Sequence, residues 1–142
     1  MLRENGPSSV TMLVCESVLR EDNGIVSLVR IMDSVVLGPN TTDARFFVIS
    51  YLHSREIDYK QHTAQVQMVA NRGGRLVAVA TAPVANFVYS YAVVPNAPGA
   101  HMLSTEFNMN VAILGELGTY WLQLSVDGEL EEQTPITLLR RG

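Results

Sequence analysis

Turn-forming residues punctuate this sequence about every 8 to 15 positions, and between them lie apolar residues in short runs or strict alternation. No stretch carries a sustained 3.6-residue apolar period, so any helix has to be short. The pattern predicts many short strands joined by tight turns, as in a sandwich or barrel. Glu21-Asp22-Asn23-Gly24 separates a strand over about 9–19 from one over about 25–37, with Asn-Gly able to supply positive φ. Gly38-Pro39-Asn40 stops the second strand. Asn71-Arg72-Gly73-Gly74 joins 63–70 to 75–81, and Asp127-Gly128 returns the chain from 120–126 into a final strand ending at Ile136 and Leu138. Pro135 has no N–H to donate, which predicts that this final strand lies at an edge.

Side-chain parity then assigns faces. From 105 to 113 the apolar residues Phe107, Met109, Val111 and Ile113 alternate with Glu106, Asn108 and Asn110, the period of a half-buried strand. Tyr120, Leu122, Leu124 and Val126 form the inward set of the next strand, which leaves Trp121 facing away from it. Phe46 to Leu52 is apolar on both parities, so that strand is central or has its outer face covered. The segment 84–94 presents Phe87, Tyr89 and Tyr91 at period two. The fold class expected is all-β: an antiparallel two-sheet sandwich, immunoglobulin-like or jelly-roll-like, with about eight strands and little helix. One domain spans 1–142, with an N-terminal arm at 1–8 and a C-terminal tail at 139–142.

A chain of 142 residues is near the common size of one domain and can bury a core without staples. Charged residues make up 17%, against about 25% in an ordinary soluble domain, while hydrophobic residues make up 47%, leaving little charge to solvate a monomer. Lys60 is the only lysine among ten basic residues. Lysine is depleted in interface cores, and an arginine-favouring, GC-rich genome gives the same bias. A net charge of −4 offers no basic footprint for phosphates, so nucleic acid is not an expected partner. Cys15 stands alone, which excludes an internal disulfide and a multi-cysteine zinc site, and its apolar neighbours suit a small buried thiol. The first ten residues lack the basic start and apolar core of a signal peptide, and no apolar run approaches the ~18 residues that cross a bilayer. The expected location is the cytoplasm, or a virion if the chain is phage-encoded, with no membrane partner.

Cys15-Glu16-Ser17-Val18, the return at 24–29, and the stretch from Gly118 through Tyr120, Leu124 and Val126 to Asp127-Gly128, followed by Pro135-Ile136, together resemble a family of uncharacterised bacterial and phage domains. The resemblance runs from about Met12 to Leu139. It implies a sandwich of unknown function, and it carries over no catalytic residue and no cofactor.

Within His53-x-x-Glu56-x-Asp58-x-x-x-His62, two imidazoles and two carboxylates could supply metal ligands, although the spacing matches no zinc motif and suits an ordinary polar loop. Nucleophilic catalysis needs Ser, Cys or Thr held against a base, and no G-x-S-x-G elbow occurs. Gly73-Gly74 between Arg72 and Arg75 could cradle an anion or be a plain hairpin. Aromatic residues carry more weight. Trp121, Phe47, Ile49 and Tyr51 are candidate interface residues, since exposed aromatics anchor protein contacts. Trp121, Tyr89 and Tyr91 are the candidates for stacking a sugar or small ligand. The expectation is a non-enzymatic structural or interaction domain that self-assembles, such as a phage virion component or a bacterial accessory protein, with itself or other structural proteins as partner. The alternative is a small-ligand or carbohydrate-binding sandwich. Neither needs a metal or a cofactor.

Overall fold

A computed structural model of the chain describes residues 6–22, 26–91 and 98–141. Eleven strands occur among them: β1 (Ser9–Arg20), β2 (Val26–Ile31), β3 (Ser34–Leu37), β4 (Asp43–Ser54), β5 (His62–Arg72), β6 (Arg75–Thr81), β7 (Ala85–Phe87), β8 (Ser90–Tyr91), β9 (Gly99–Asn110), β10 (Gly118–Val126) and β11 (Glu129–Arg140). They form two packed sheets, with β2-β1-β4-β9-β8 in one, here sheet A, and β3-β11-β10-β5-β6 in the other, sheet B, where β7 also pairs with β5. The architecture is the all-β sandwich expected from the turn spacing.

Alternation builds the core between the sheets. Ala44, Phe46, Val48 and Leu52 of β4 face Met68, Tyr120, Leu122, Leu124, Ile136 and Leu138 of sheet B, and all are buried. Phe46 stacks on Phe107 of β9 with ring centroids 5.3 Å apart. β4 lies between β1 and β9, so the doubly apolar run is a central strand.

Four details differ from the sequence reading. The expected strand 25–37 is two strands on different sheets. Met32 N–H still donates to Val14 of β1 (2.8 Å), but the carbonyl of the next residue, Asp33, accepts from Thr137 of β11 (3.0 Å). The chain therefore changes sheet at one peptide, and β3 runs parallel to β11, in an otherwise antiparallel fold. The expected strand 84–94 likewise splits, β7 joining sheet B and β8 sheet A. Position 25 of the first expected strand, positions 92–94 of the second, the expected Asn23-Gly24 turn and 95–97 of the loop after the second strand lie outside the described residues. The third difference is at Ile113, where Asn110 Oδ1 accepts from Ala112 N–H and starts a 3₁₀ turn over Val111–Leu114. The turn breaks the period of two, leaving Ile113 68% exposed while Leu114 is buried. Fourth, β11 continues to Arg140 because β3 pairs with it from Thr137 onward, so the tail expected from 139 begins two residues later. Upstream of Thr137 no second strand among the described residues flanks β11, and Pro135 sits in that open half, where its missing N–H costs nothing.

Both two-residue hairpin turns carry positive φ, Gly73 (63°) with Gly74 (83°) and Asp127 (51°) with Gly128 (83°), as a type I′ turn demands. Cys15 projects from the outer face of sheet A between Ile31 and Phe47, yet is 0% exposed. Burial pushes its thiol pKa up. Native protein should therefore react with a thiol reagent orders of magnitude more slowly than unfolded protein, and comparable rates in the two states would refute this burial.

Candidate functional site

Where β4 ends and β5 begins, residues 55–61 loop over one end of the sandwich and border a cleft of about 600 Å³ lined by Arg55, Asp58, Lys60, His62 and Asp127, among others. His62 is its centre and is 8% exposed. Its Nδ1 lies 2.8 Å from Asp127 Oδ2, and its Nε2 lies 2.9 Å from Asp58 Oδ2. Asp127 is fixed in turn, its Oδ1 accepting from Thr63 N–H (3.0 Å) and its own N–H donating to Thr63 O (2.9 Å). Phe87 and Tyr89 pack against the imidazole, with centroids 5.5 and 5.1 Å away. Gly99 lets this layer close, since a Cβ there would lie 3.1 Å from Tyr89 Cβ.

Burial opposes a charge on His62, but its hydrogen bonds to the Asp127 and Asp58 carboxylates outweigh it and raise its pKa. Asp58 is also desolvated. The Lys60 N–H and His62 outweigh that effect and lower its pKa. Each ring nitrogen thus faces a carboxylate oxygen, an arrangement that favours the doubly protonated ring. Such a ring has no free lone pair with which to take a proton from a nucleophile.

Of the four residues in the His53–His62 motif, the fold brings Asp58 and His62 together. His53 instead lies on the outer face of sheet A, with Nδ1 3.3 Å from Ser9 Oγ and its ring against Tyr51. Among the described residues no three His, Cys, Asp or Glu side chains converge as a metal site. Asp127 escaped the motif reading because it lies 65 residues from His62, and only the pairing of β10 with β5 closes that distance. His101 stacks on Phe87 at 4.6 Å, and burial pushes its pKa down.

The aromatic candidates do not converge. Phe47, Ile49 and Tyr51 face outward from sheet A, whereas Trp121 faces outward from sheet B, on the opposite side of the sandwich. Ile49 is 4% exposed in the single chain, shielded by same-face neighbours Leu13, Phe47 and Tyr51, and Arg45 lies over the Phe47 ring at 5.5 Å. Trp121 is half-buried between Val69 of β5 and Pro135 of β11. Tyr89 is 4% exposed and Tyr91 75%, so the sheet change at Phe87–Ser90 separates the two tyrosines. The Gly73-Gly74 turn is a plain hairpin, with Asn71 Oδ1 accepting from Gly74 N–H and Arg72 donating to Leu114 O.

One feature that parity reading passed over is an edge. β6 pairs with β5 on one side, and among the described residues no strand lies on the other. Its residues 75–78 are all exposed, Leu76 at 61% and Val77 at 40%.

Residues 10–139 match the family model DUF6941, a family of unknown function. The chain belongs to DUF6941. No curated protein matches it. Among solved structures, this DUF6941 chain is similar to part of the Pseudomonas fluorescens alkylpurine DNA glycosylase AlkC bound to DNA containing an abasic site analog, at 12% identity and a TM-score of 0.50. That match covers 78% of this chain and 28% of the glycosylase, and the likeness is one of fold. A β-glucosidase from Listeria innocua in complex with isofagomine matches at 10% identity and a TM-score of 0.46, over 92% of this chain and 16% of the enzyme. The CARDB domain of a Pyrococcus furiosus protein, in complex with di-metal ions, matches at 15% identity and a TM-score of 0.42, covering 99% of this chain and 100% of that one. The DUF6941 chain thus spans under a third of the glycosylase and a smaller share of the glucosidase. Among its described residues no helix is long and apolar enough to cross a membrane.

Proposed function

We propose that this chain is a non-enzymatic structural or protein-interaction domain that self-assembles through an edge of its sandwich. The observation that carries the reading is β6, an open strand whose Leu76 and Val77 lie in water. Natural sheets blunt exposed edges with charge, proline or a cover, because unpaired N–H and C=O groups template a further strand. Between Arg75 and the bulge at Val79, residues 76–78 carry no charge and no proline. The cleft supports the non-enzymatic half of the reading, since both nitrogens of its one histidine are engaged by carboxylates and neither faces the open space as a base. The role inferred is that of a repeating unit, a phage virion component or a bacterial accessory protein, following the membership implied by the sequence resemblance. Sedimentation equilibrium at tens of micromolar should give a mass above that of one chain. A strictly monomeric mass would overturn self-assembly and put a small-ligand reading first, beginning with Trp121.

A further inference from the structure

Resting on that reading, we infer that the occupant of the β6 edge is β6 of a second copy, antiparallel and centred on Val77. Three observations fix the register. First, a two-residue turn closes on a hydrogen-bonded pair, here Arg72 with Arg75, and an antiparallel ladder alternates from there. Leu76 and Ala78, opposite Asn71 and Val69, therefore turn their N–H and C=O groups outward, whereas Val77 spends its own on Ala70. A strand that docks must meet Leu76 and Ala78, and a two-fold axis at Val77 sets each of these against the other in the second copy, closing four hydrogen bonds.

Second, faces must match. Residues opposite each other point to the same side of a sheet, so an axis normal to the sheet has to pass through a residue. The β-bulge opposite Met68/Val69 leaves Val79 without a partner and ends the alternation at Ala78, and an axis at Val77 keeps all four hydrogen bonds on Leu76 and Ala78, inside the regular stretch 75–78. Arg75 then lies opposite Val79 of the second copy. A parallel arrangement would set Arg75 against Arg75.

Third, the outer face of sheet B carries an apolar row that runs across the strands and stops at this edge: Pro135, Trp121, Val69 and Ala78 are successive neighbours. In the proposed register Leu76 of the second copy comes next in the row. Its side chain, 61% exposed in one copy, gains Ala78 of the other as a cross-strand neighbour, and Trp121 becomes part of a stripe spanning both.

The test uses Val77→Cys, because the pair on the axis is not hydrogen-bonded and holds its Cα atoms about 4.5 Å apart, within disulfide reach. Cys15 is buried, so the engineered thiol is the reactive one. Mild oxidation should convert most of this variant to a covalent dimer, while Leu130→Cys, exposed on β11, should stay monomeric on a non-reducing gel. Leu76→Lys should weaken association at least tenfold with an unchanged far-UV circular dichroism spectrum. Ala78→Pro, which removes an outward N–H, should do the same if the bulge accepts the ring, and Leu76→Lys decides the matter if it does not. If wild-type protein is oligomeric but Val77→Cys does not cross-link and Leu76→Lys leaves the mass unchanged, the register is wrong and self-assembly uses another surface. A monomeric wild type overturns both.

Discussion

Replacing Phe46 with alanine is expected to lower the unfolding free energy by about 3–5 kcal/mol, the largest single effect anticipated in this chain. The ring is 0% exposed, stacked on Phe107, and carried by the central strand of sheet A, so neighbours on both sides resist collapse into the space it leaves. Domains of this size are stable by roughly 5–15 kcal/mol, so the variant is left marginal. At about 2–4 °C per kcal/mol, its melting temperature should fall by roughly 6–20 °C. Phe47→Ala, on the wet side of the same strand, should cost less than half as much. Equal losses for the two would mean that the inward and outward sets of β4 are misassigned.

Removing His62 should have the second largest effect, and one with a pH signature. The imidazole is buried while the Asp58 and Asp127 side chains are 25% and 40% exposed, so the carboxylates left by His62→Ala can rehydrate. The loss is then about 2 kcal/mol, below the 3–5 kcal/mol of a fully buried broken pair. His62 has its folded pKa raised above the ordinary 6.5, so its contribution is complete below 6.5 and is lost as pH rises through the folded value. Asp58 has its pKa lowered below 3.8, so its contribution is complete above 3.8 and is lost as pH falls through the folded value. The clamp is therefore whole between those two ordinary values. The gap in melting temperature between wild type and His62→Ala should be widest near about pH 5.5 and shrink as pH rises through the folded pKa of His62. A gap independent of pH would show that His62 acts through packing on Phe87 and Tyr89 alone.

The legible parts of this fold were the local ones. Asn71 to Gly74 and Asp127-Gly128 fixed two hairpins because only residues tolerant of positive φ fit such turns, and the parity of Tyr120 to Val126 gave one core face directly. Parity misled where a strand changes layer. Nothing in Val29 to Val36 distinguishes one bent strand from two strands on different sheets, since the difference is which neighbour accepts or donates at Met32 and Asp33. The same limit separated Tyr89 from Tyr91, and it set Trp121 and Phe47 on opposite faces although both were read correctly as pointing outward. The Asp58–His62–Asp127 cluster was half visible. The His53–His62 motif contained the first pair, while the third member arrives through strand pairing over 65 residues. The β6 edge escaped because strand order, unlike strand existence, leaves no local mark in a sequence.

The parallel pairing of β3 with β11 bears on how the chain reaches this state. Ser34 to Leu37 finds its partners at Thr137 to Arg140, across nearly the whole sequence. Loop-closure entropy for such a contact is met before the contact rewards it, and topologies dominated by distant pairings fold in milliseconds to seconds. On a growing chain β1, β2 and β4 can associate early, whereas β3 waits with Val35 and Leu37 uncovered until the final strand has been made. The cohesion of the sandwich is thus established last and at its far end, and a nascent chain halted short of β11 would present β3 as a second unpaired edge.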